Sequence, residues 1–131
     1  MGLDTSHGCW NGPYSLFNSF RIQVAAQIGF DLDKMEGFGG EISFDDMNHP
    51  IKPLLDHSDC DGQLSSSDLT SIVKGIDMIL KDFDDSKIIL NDERFGDTSV
   101  KDIRDFVIRR LKIFKEGAED ALSLNENVIF M

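Results

Sequence analysis

The apolar pattern between positions 69 and 83 limits the possible folds of this chain more than any other feature. Apolar side chains recur there at intervals of three and four residues, at Leu69, Ile72, Val73, Ile76, Ile79, Leu80 and Phe83. Because an α-helix turns by about 100° per residue, all of these side chains project from one stripe. Burying them contributes roughly 10–20 kcal/mol, but ordering the segment costs a similar amount of conformational entropy. The pattern therefore predicts a helix that needs a packing partner.

Two other segments have helical spacing. Gly12 and Pro13 precede the first, and the helix over 13–28 is expected to end at Gly29. The second starts near Ser99 and is the expected partner of the stripe at 69–83. The apolar positions of the first segment are Phe17, Phe20, Val24 and Ile28, and those of the second are Val100, Ile103, Val107, Leu111, Phe114, Ala118 and Leu122.

The starts of the two later helices have capping signals. Ser65 is followed three residues later by Asp68, and Ser99 is followed three residues later by Asp102. A serine hydroxyl can accept a hydrogen bond from the third backbone N–H of a helix, and an acid at that third position can return the bond. Both pairs predict helix N-termini.

Shorter segments leave room for a small amount of β-structure. Residues 41–44 alternate polar and apolar side chains, residues 87–90 and 128–131 are apolar runs, and 51–56 can form at most a turn or two of helix. A chain of 131 residues has the commonest size of one domain. We therefore predict a mainly α single domain, residues 1–131, with three principal helices and a small β component of two or three short strands.

The acidic charge of the chain narrows the range of its partners. The formal net charge is −11, and residues 1–100 carry all of it, with 18 acidic and 7 basic side chains. A surface of this sign repels phosphate, so we expect no direct binding to nucleic acid or to anionic membranes. Cations and basic protein patches are the natural partners. The same excess of acids can also serve solubility alone.

The location of the protein is predicted from what its sequence does not contain. No run approaches the roughly 20 apolar residues of a membrane span, and residues 1–6 do not resemble a secretory signal. We expect a cytoplasmic protein. In that reducing compartment, Cys9 and Cys60 are not expected to form a structural disulfide.

Residues 57–68 align with a calcium loop of the EF-hand kind, which needs oxygen ligands at alternating positions and a glycine at the sixth. Asp59 and Asp61 occupy the third and fifth positions, Gly62 the sixth, and Asp68 the twelfth. Two departures are relevant. His57 stands first, and imidazole nitrogen is a poor ligand for a hard cation, while Asp68 has a shorter side chain than the usual glutamate. No second loop of this kind is found in the sequence.

The same region supports a zinc hypothesis. His7 and Cys9 form an H-x-C pair, and His57 and Cys60 form an H-x-x-C pair. Two nitrogens and two sulfurs would complete a tetrahedral zinc site. The pairs lie about fifty residues apart, so the fold would have to bring them together.

An interpretation without metal remains open beside these two. The cysteines can be small buried apolar groups, and His57 can bond to a neighbouring carbonyl. Asp59, Asp61 and Gly62 can form a turn stabilised by their own side chains before a capped helix.

Two short motifs resemble a known family. The chain begins MGLDTSHGCW, and residues 54–62 read LLDHSDCDG. These segments are similar to a family of small uncharacterised bacterial and phage-encoded proteins with an M-G-L-D-T-S-H-x-C-W start and an H-S-D-C-D-G motif. The resemblance implies a bacterial or phage cytoplasmic protein and brings no mechanism with it. It points to His7, Cys9, Trp10, His57, Asp59, Cys60, Asp61 and Gly62.

The sequence favours a binding protein over an enzyme. It has no G-x-S-x-G elbow, no phosphate-binding glycine loop and no H-E-x-x-H motif. Asp59 and Asp61 flank Cys60 and disfavour its thiolate, and no third group can be named to orient a His7–Cys9 pair. The alternative to metal binding is an acidic protein-interaction module, an adaptor or inhibitor of a basic partner.

Overall fold

Helices form most of the regular structure in this chain. A computed structural model describes residues 2–36, 38–57, 62–90 and 99–131. The mainly α fold with a small β component is confirmed. The described α-helices are α1 (Tyr14–Gln27), α2 (Lys52–Leu55), α3 (Ser66–Lys81) and α4 (Val100–Ser123), and the strands are β1 (Gly2–Asp4), β2 (Asn11–Pro13), β3 (Gln63–Leu64) and β4 (Val128–Ile129).

Helices α3 and α4 pack against each other through the two predicted apolar stripes, and this pair has the most extensive contact between elements of the fold. Leu69, Ile72 and Ile76 of α3 are fully buried, as are Val107 and Leu111 of α4. Their other faces carry charged side chains. Among the helices that the structure describes, none has the length and apolar character to cross a membrane.

Both predicted helix starts are confirmed. Ser65 Oγ accepts a hydrogen bond from the Asp68 amide at 3.3 Å, and Asp68 Oδ2 accepts one from the Ser65 amide at 3.1 Å. Ser99 Oγ accepts from the Asp102 amide at 3.2 Å. These bonds satisfy amide groups that the helices leave without intrahelical partners.

Helix α1 lies under an aromatic cluster. The Trp10 ring lies 5.0 Å from Phe17 and 5.3 Å from Phe20, centroid to centroid. All three side chains are fully buried. The helical spacing in the sequence located the two phenylalanines, but only the fold brings Trp10 against them.

The strand predicted at 87–90 is wrong. Residues Asp85–Lys87 form a 3₁₀ turn, and residues 88–90 have no strand partner. Two side-chain amides of α1 take the role of a neighbouring strand. Gln23 donates to the Ile89 carbonyl at 2.8 Å and accepts from its amide at 3.0 Å, and Gln27 forms the same pair of bonds with Asp84 at 2.9 Å each.

The strand predicted at 41–44 is also wrong. Ile42 forms one isolated bridge with Met35, and Phe44–Asp46 is a 3₁₀ turn that begins after Ser43. Ser43 Oγ caps this turn by accepting from the Asp45 amide at 3.1 Å. The serine and the two acids that follow it favour a capped turn over a strand.

The strands lie in two small antiparallel sheets. Strands β1 and β2 form a hairpin that the sequence analysis did not predict. Strand β3 pairs with β4, with Leu64 opposite Val128, which confirms a strand in the segment predicted at 128–131. Beyond β4, Phe130 forms a bridge to Thr5, so the two ends of the chain meet.

Candidate functional site

The calcium-loop segment lies between α2 and α3. The structure describes its first residue, His57, and its second half from Gly62 onward. Asp59, Cys60 and Asp61 lie outside the described residues. What can be examined is therefore how the fold holds the two ends of the loop.

The second half of the segment has the conformation that the calcium-loop hypothesis predicts. Gly62, at the sixth position, has φ of 89°, in the left-handed region that favours glycine. Gln63 and Leu64, at the seventh and eighth positions, form β3. Asp68, at the twelfth, lies in the first turn of α3, and its Oδ2 accepts hydrogen bonds from the amide and the hydroxyl of Ser65 at 3.1 and 3.0 Å.

His57 is anchored on both its side chain and its backbone. Its ring lies 4.4 Å from the Phe130 ring, and its Nε2 lies 3.1 Å from the Gln63 carbonyl oxygen. Because a carbonyl only accepts, Nε2 carries the hydrogen in this contact and cannot then ligate a metal. The His57 carbonyl in turn accepts a bond from Arg21 at 2.7 Å.

Arg21 is a residue of the site that the sequence analysis missed. It is only 2% exposed, and its guanidinium lies 4.8 Å from the Phe17 ring centroid and 4.9 Å from that of Phe38. It donates to the carbonyls at the entrance of the loop, those of His57 and Leu55, the latter at 3.5 Å. Arg21 follows Phe17 by one helical turn, so a lone charge on an apolar face was the available signal.

Asp56 is a second missed residue. Burial raises the pKa of its carboxyl group, and the charge of Asp68 raises it further, whereas Lys52 and His57 lower it. The electrostatic effect of Asp68 indicates that acids from both ends of the loop lie near one another. Its place directly before His57 in the sequence was the available signal.

The N-terminal motif places His7 between two acids of the C-terminal region. His7 Nδ1 lies 2.7 Å from Asp120 Oδ2, and its Nε2 lies 3.5 Å from Glu126 Oε1. The backbone of His7 has φ of 60° and ψ of 12°, the left-handed conformation that is uncommon for a residue with a side chain. Both ring nitrogens thus face carboxylates of or next to α4.

Cys9 is packed against α4. Its side chain is fully buried, and a Cβ atom added at Gly117 would lie 2.6 Å from its Sγ. Burial raises the pKa of the Cys9 thiol to about 12, although a hydrogen bond with Thr5 partly opposes this. Zinc binds the thiolate, so this environment opposes a role for Cys9 as a ligand.

The described residues of the proposed zinc set have separate surroundings. His7 contacts Asp120 and Glu126, Cys9 packs on Gly117, and the His57 ring packs on Phe130. Within the described ranges, no three His, Cys, Asp or Glu side chains are arranged to hold a metal ion. Because Cys60 lies outside those ranges, the four-residue zinc set stays a prediction.

The chain was compared with known proteins at three levels. It matches no protein-family model, no curated protein and no solved structure. The resemblance of the two motifs to small bacterial and phage proteins stays a prediction. The function must therefore be argued from the site itself.

Proposed function

We propose that residues 57–68 bind one calcium ion. The observation that carries the proposal is the second half of the loop. A left-handed glycine, a short strand and a capped helix start occur there at the sixth, the seventh to eighth and the ninth to twelfth positions. This is the backbone course that a calcium loop needs to direct alternating oxygens inward.

The proposed ligands are all oxygens. Asp59 and Asp61 supply carboxylates, the carbonyl of Gln63 supplies a backbone oxygen, and Asp68 supplies a carboxylate at the helix start. A carbonyl has two lone pairs, so Gln63 can bond to His57 and to a cation together. In this proposal His57 anchors the loop and does not ligate the ion. Water fills the first position, which favours moderate affinity.

The charge of the chain supports a cation as the ligand. The net charge is −11, and Asp56 adds a carboxylate beside the loop. A negative field of this kind raises the local concentration of cations. Zinc in the His/Cys set is less well supported, because the Cys9 thiol is buried and its pKa is raised.

The second candidate is an acidic interaction module for a basic protein. Two basic side chains of α4 are held in ion pairs within the chain, Arg104 with Asp85 and Lys115 with Asp77, each at 2.7 Å. Internal pairing of basic groups leaves the excess of acids to dominate the surface. This candidate gains weight if no metal binds.

Calorimetric titration of calcium into metal-free protein tests the proposal. We expect about one equivalent to bind, with Kd of roughly 10⁻⁵–10⁻³ M, weaker than in loops with a full ligand set. Asp61→Asn should weaken binding at least about tenfold, since it removes a charged ligand. Asp82→Asn is the matched control, because Asp82 is exposed at the opposite end of α3 and should not affect binding.

The absence of binding heat, or equal binding by Asp61→Asn and the unchanged protein, would contradict the proposal. Elemental analysis of protein purified without chelators separates the zinc hypothesis. One equivalent of zinc, lost in Cys60→Ser, would support the His/Cys set instead.

A further inference from the structure

Residues 128–131 bond to the loop on one side. The Phe130 amide donates to the Gly62 carbonyl at 3.0 Å, and Leu64 pairs with Val128. Gly62 and Leu64 are the sixth and eighth positions of the proposed calcium loop. The C-terminal strand therefore fixes the part of the loop that contains the Gln63 carbonyl.

The same residues bond to the N-terminal segment on the other side. The Ile129 amide donates to Ser6 Oγ at 2.8 Å, and the Met131 amide donates to the Asp4 carbonyl at 2.8 Å. Thr5 forms a bridge with Phe130 between these two bonds. Residues 4–6 and 62–64 therefore hold opposite edges of one short strand.

The side chain of Phe130 reaches the entrance of the loop. Its ring is 4% exposed and lies 4.4 Å from the His57 ring and 6.0 Å from the Phe17 ring. One residue of the C-terminal segment thus contacts the loop at its first position through its ring and at its sixth through its amide.

The N-terminal segment is itself fixed to α4. His7 lies between Asp120 and Glu126, and Gly117 allows the turn at Ser6–Gly8 to approach the helix closely. Residues 4–6 are thereby connected to the helical core, and strand β4 connects them to the loop.

We infer that residues 4–6 are positioning residues for the calcium loop and act on it through β4. This inference rests on the proposed function. A loop whose second half is already ordered loses less conformational entropy when it binds an ion, so its affinity is higher. Linkage is reciprocal, so calcium must also strengthen the attachment of β4 to both of its neighbours. The two motifs of the sequence then form one functional unit although they contact different residues of the C-terminal segment.

Ser6→Ala tests the inference, since it removes the hydroxyl that accepts from the Ile129 amide. We expect Kd for calcium, measured by calorimetry on the full chain, to rise about three- to tenfold, the effect of losing one hydrogen bond. We also expect calcium to slow hydrogen exchange at the Phe130 amide in the unchanged protein, and to slow it less in Ser6→Ala.

Ser99→Ala is the control for a merely structural effect. It removes the cap of α4 and lowers stability, but Ser99 lies outside this unit, so calcium affinity should not change. Equal Kd in Ser6→Ala and the unchanged protein would overturn the inference and leave the calcium site intact. An equal loss of affinity in Ser99→Ala would also overturn it. If the unchanged protein binds no calcium, both the inference and the proposed function fail.

Discussion

Cys9 shows how a single close contact can determine the chemistry of a residue. Its sulfur lies against the backbone of α4 at Gly117, where a side chain would collide with it. No water reaches the thiol, so the charged form is disfavoured and its pKa rises to about 12. The residue that the zinc hypothesis named as a ligand is thus held as a neutral thiol in the core.

The raised pKa of Cys9 predicts a pH dependence of stability. The unfolded thiol loses its proton near pH 8.5, whereas the folded one keeps it to about pH 12. The contribution of Cys9 is therefore complete below about pH 8.5 and is lost as the pH rises toward 12, by at most about 1.4 kcal/mol per pH unit. Urea unfolding at pH 8 and pH 10.5 measures this. The stability advantage of the unchanged protein over Cys9→Ala should shrink at the higher pH, and an unchanged difference would contradict the prediction.

Gly117→Ala should destabilise the protein although alanine is the better helix former. In an exposed helix this substitution would stabilise by about 1 kcal/mol. Here the new Cβ would lie 2.6 Å from Cys9 Sγ and 2.7 Å from the His7 carbonyl oxygen. We expect a net cost of about 1–3 kcal/mol in urea unfolding. Glu116→Ala, on the exposed face of α4, is the control and should change stability little. Equal or greater stability of Gly117→Ala would show that the turn at Ser6–Gly8 is not closely packed.

At the scale of elements, side chains replace backbone pairing where the sequence suggested a strand. Gln23 and Gln27, one turn apart on α1, each bond to both the N–H and the C=O of one residue in the segment that follows α3. An amide side chain has the same donor and acceptor as a peptide group, so it can stand in for a neighbouring strand. The segment keeps its backbone bonds satisfied without a sheet.

Gln23→Glu tests this replacement. A carboxylate can still accept from the Ile89 amide but cannot donate to the Ile89 carbonyl, which is left without this partner. We expect a loss of about 1–3 kcal/mol in the free energy of unfolding. Ser15→Ala, on the exposed side of α1, should cost far less. If Gln23→Glu unfolds at the same urea concentration as the unchanged protein, the bond to Ile89 does not hold the segment.

The helices were predictable from the sequence because their signals are local. The spacing of apolar residues and the serine caps lie within each helix, and the predicted starts at Ser65 and Ser99 are confirmed. The strand at 87–90 was wrong because its apolar run does not reveal that glutamines some sixty residues earlier would take its hydrogen bonds. The hairpin of β1 and β2 was missed because these strands have no alternating pattern.

For the whole molecule, the main feature is the meeting of three distant segments at the C-terminal strand. Residues 4–6, 62–64 and 128–131 bond to one another across the full length of the chain. The turn of the candidate site could be predicted, because its glycine and its cap are local signals. The anchoring of His57 by Arg21 and Phe130 could not, because these partners come from α1 and from the end of the chain.

The central claim is that the segment 57–68 binds calcium, and thermal unfolding with calcium or with a chelator tests it most directly. Calcium at a hundred times its Kd should stabilise the folded state by about 2.7 kcal/mol, which raises Tm by roughly 10 °C in a domain of this size. The rise should be absent in Asp61→Asn and retained in Asp82→Asn. A Tm of the unchanged protein that is the same with calcium and with the chelator would contradict the account.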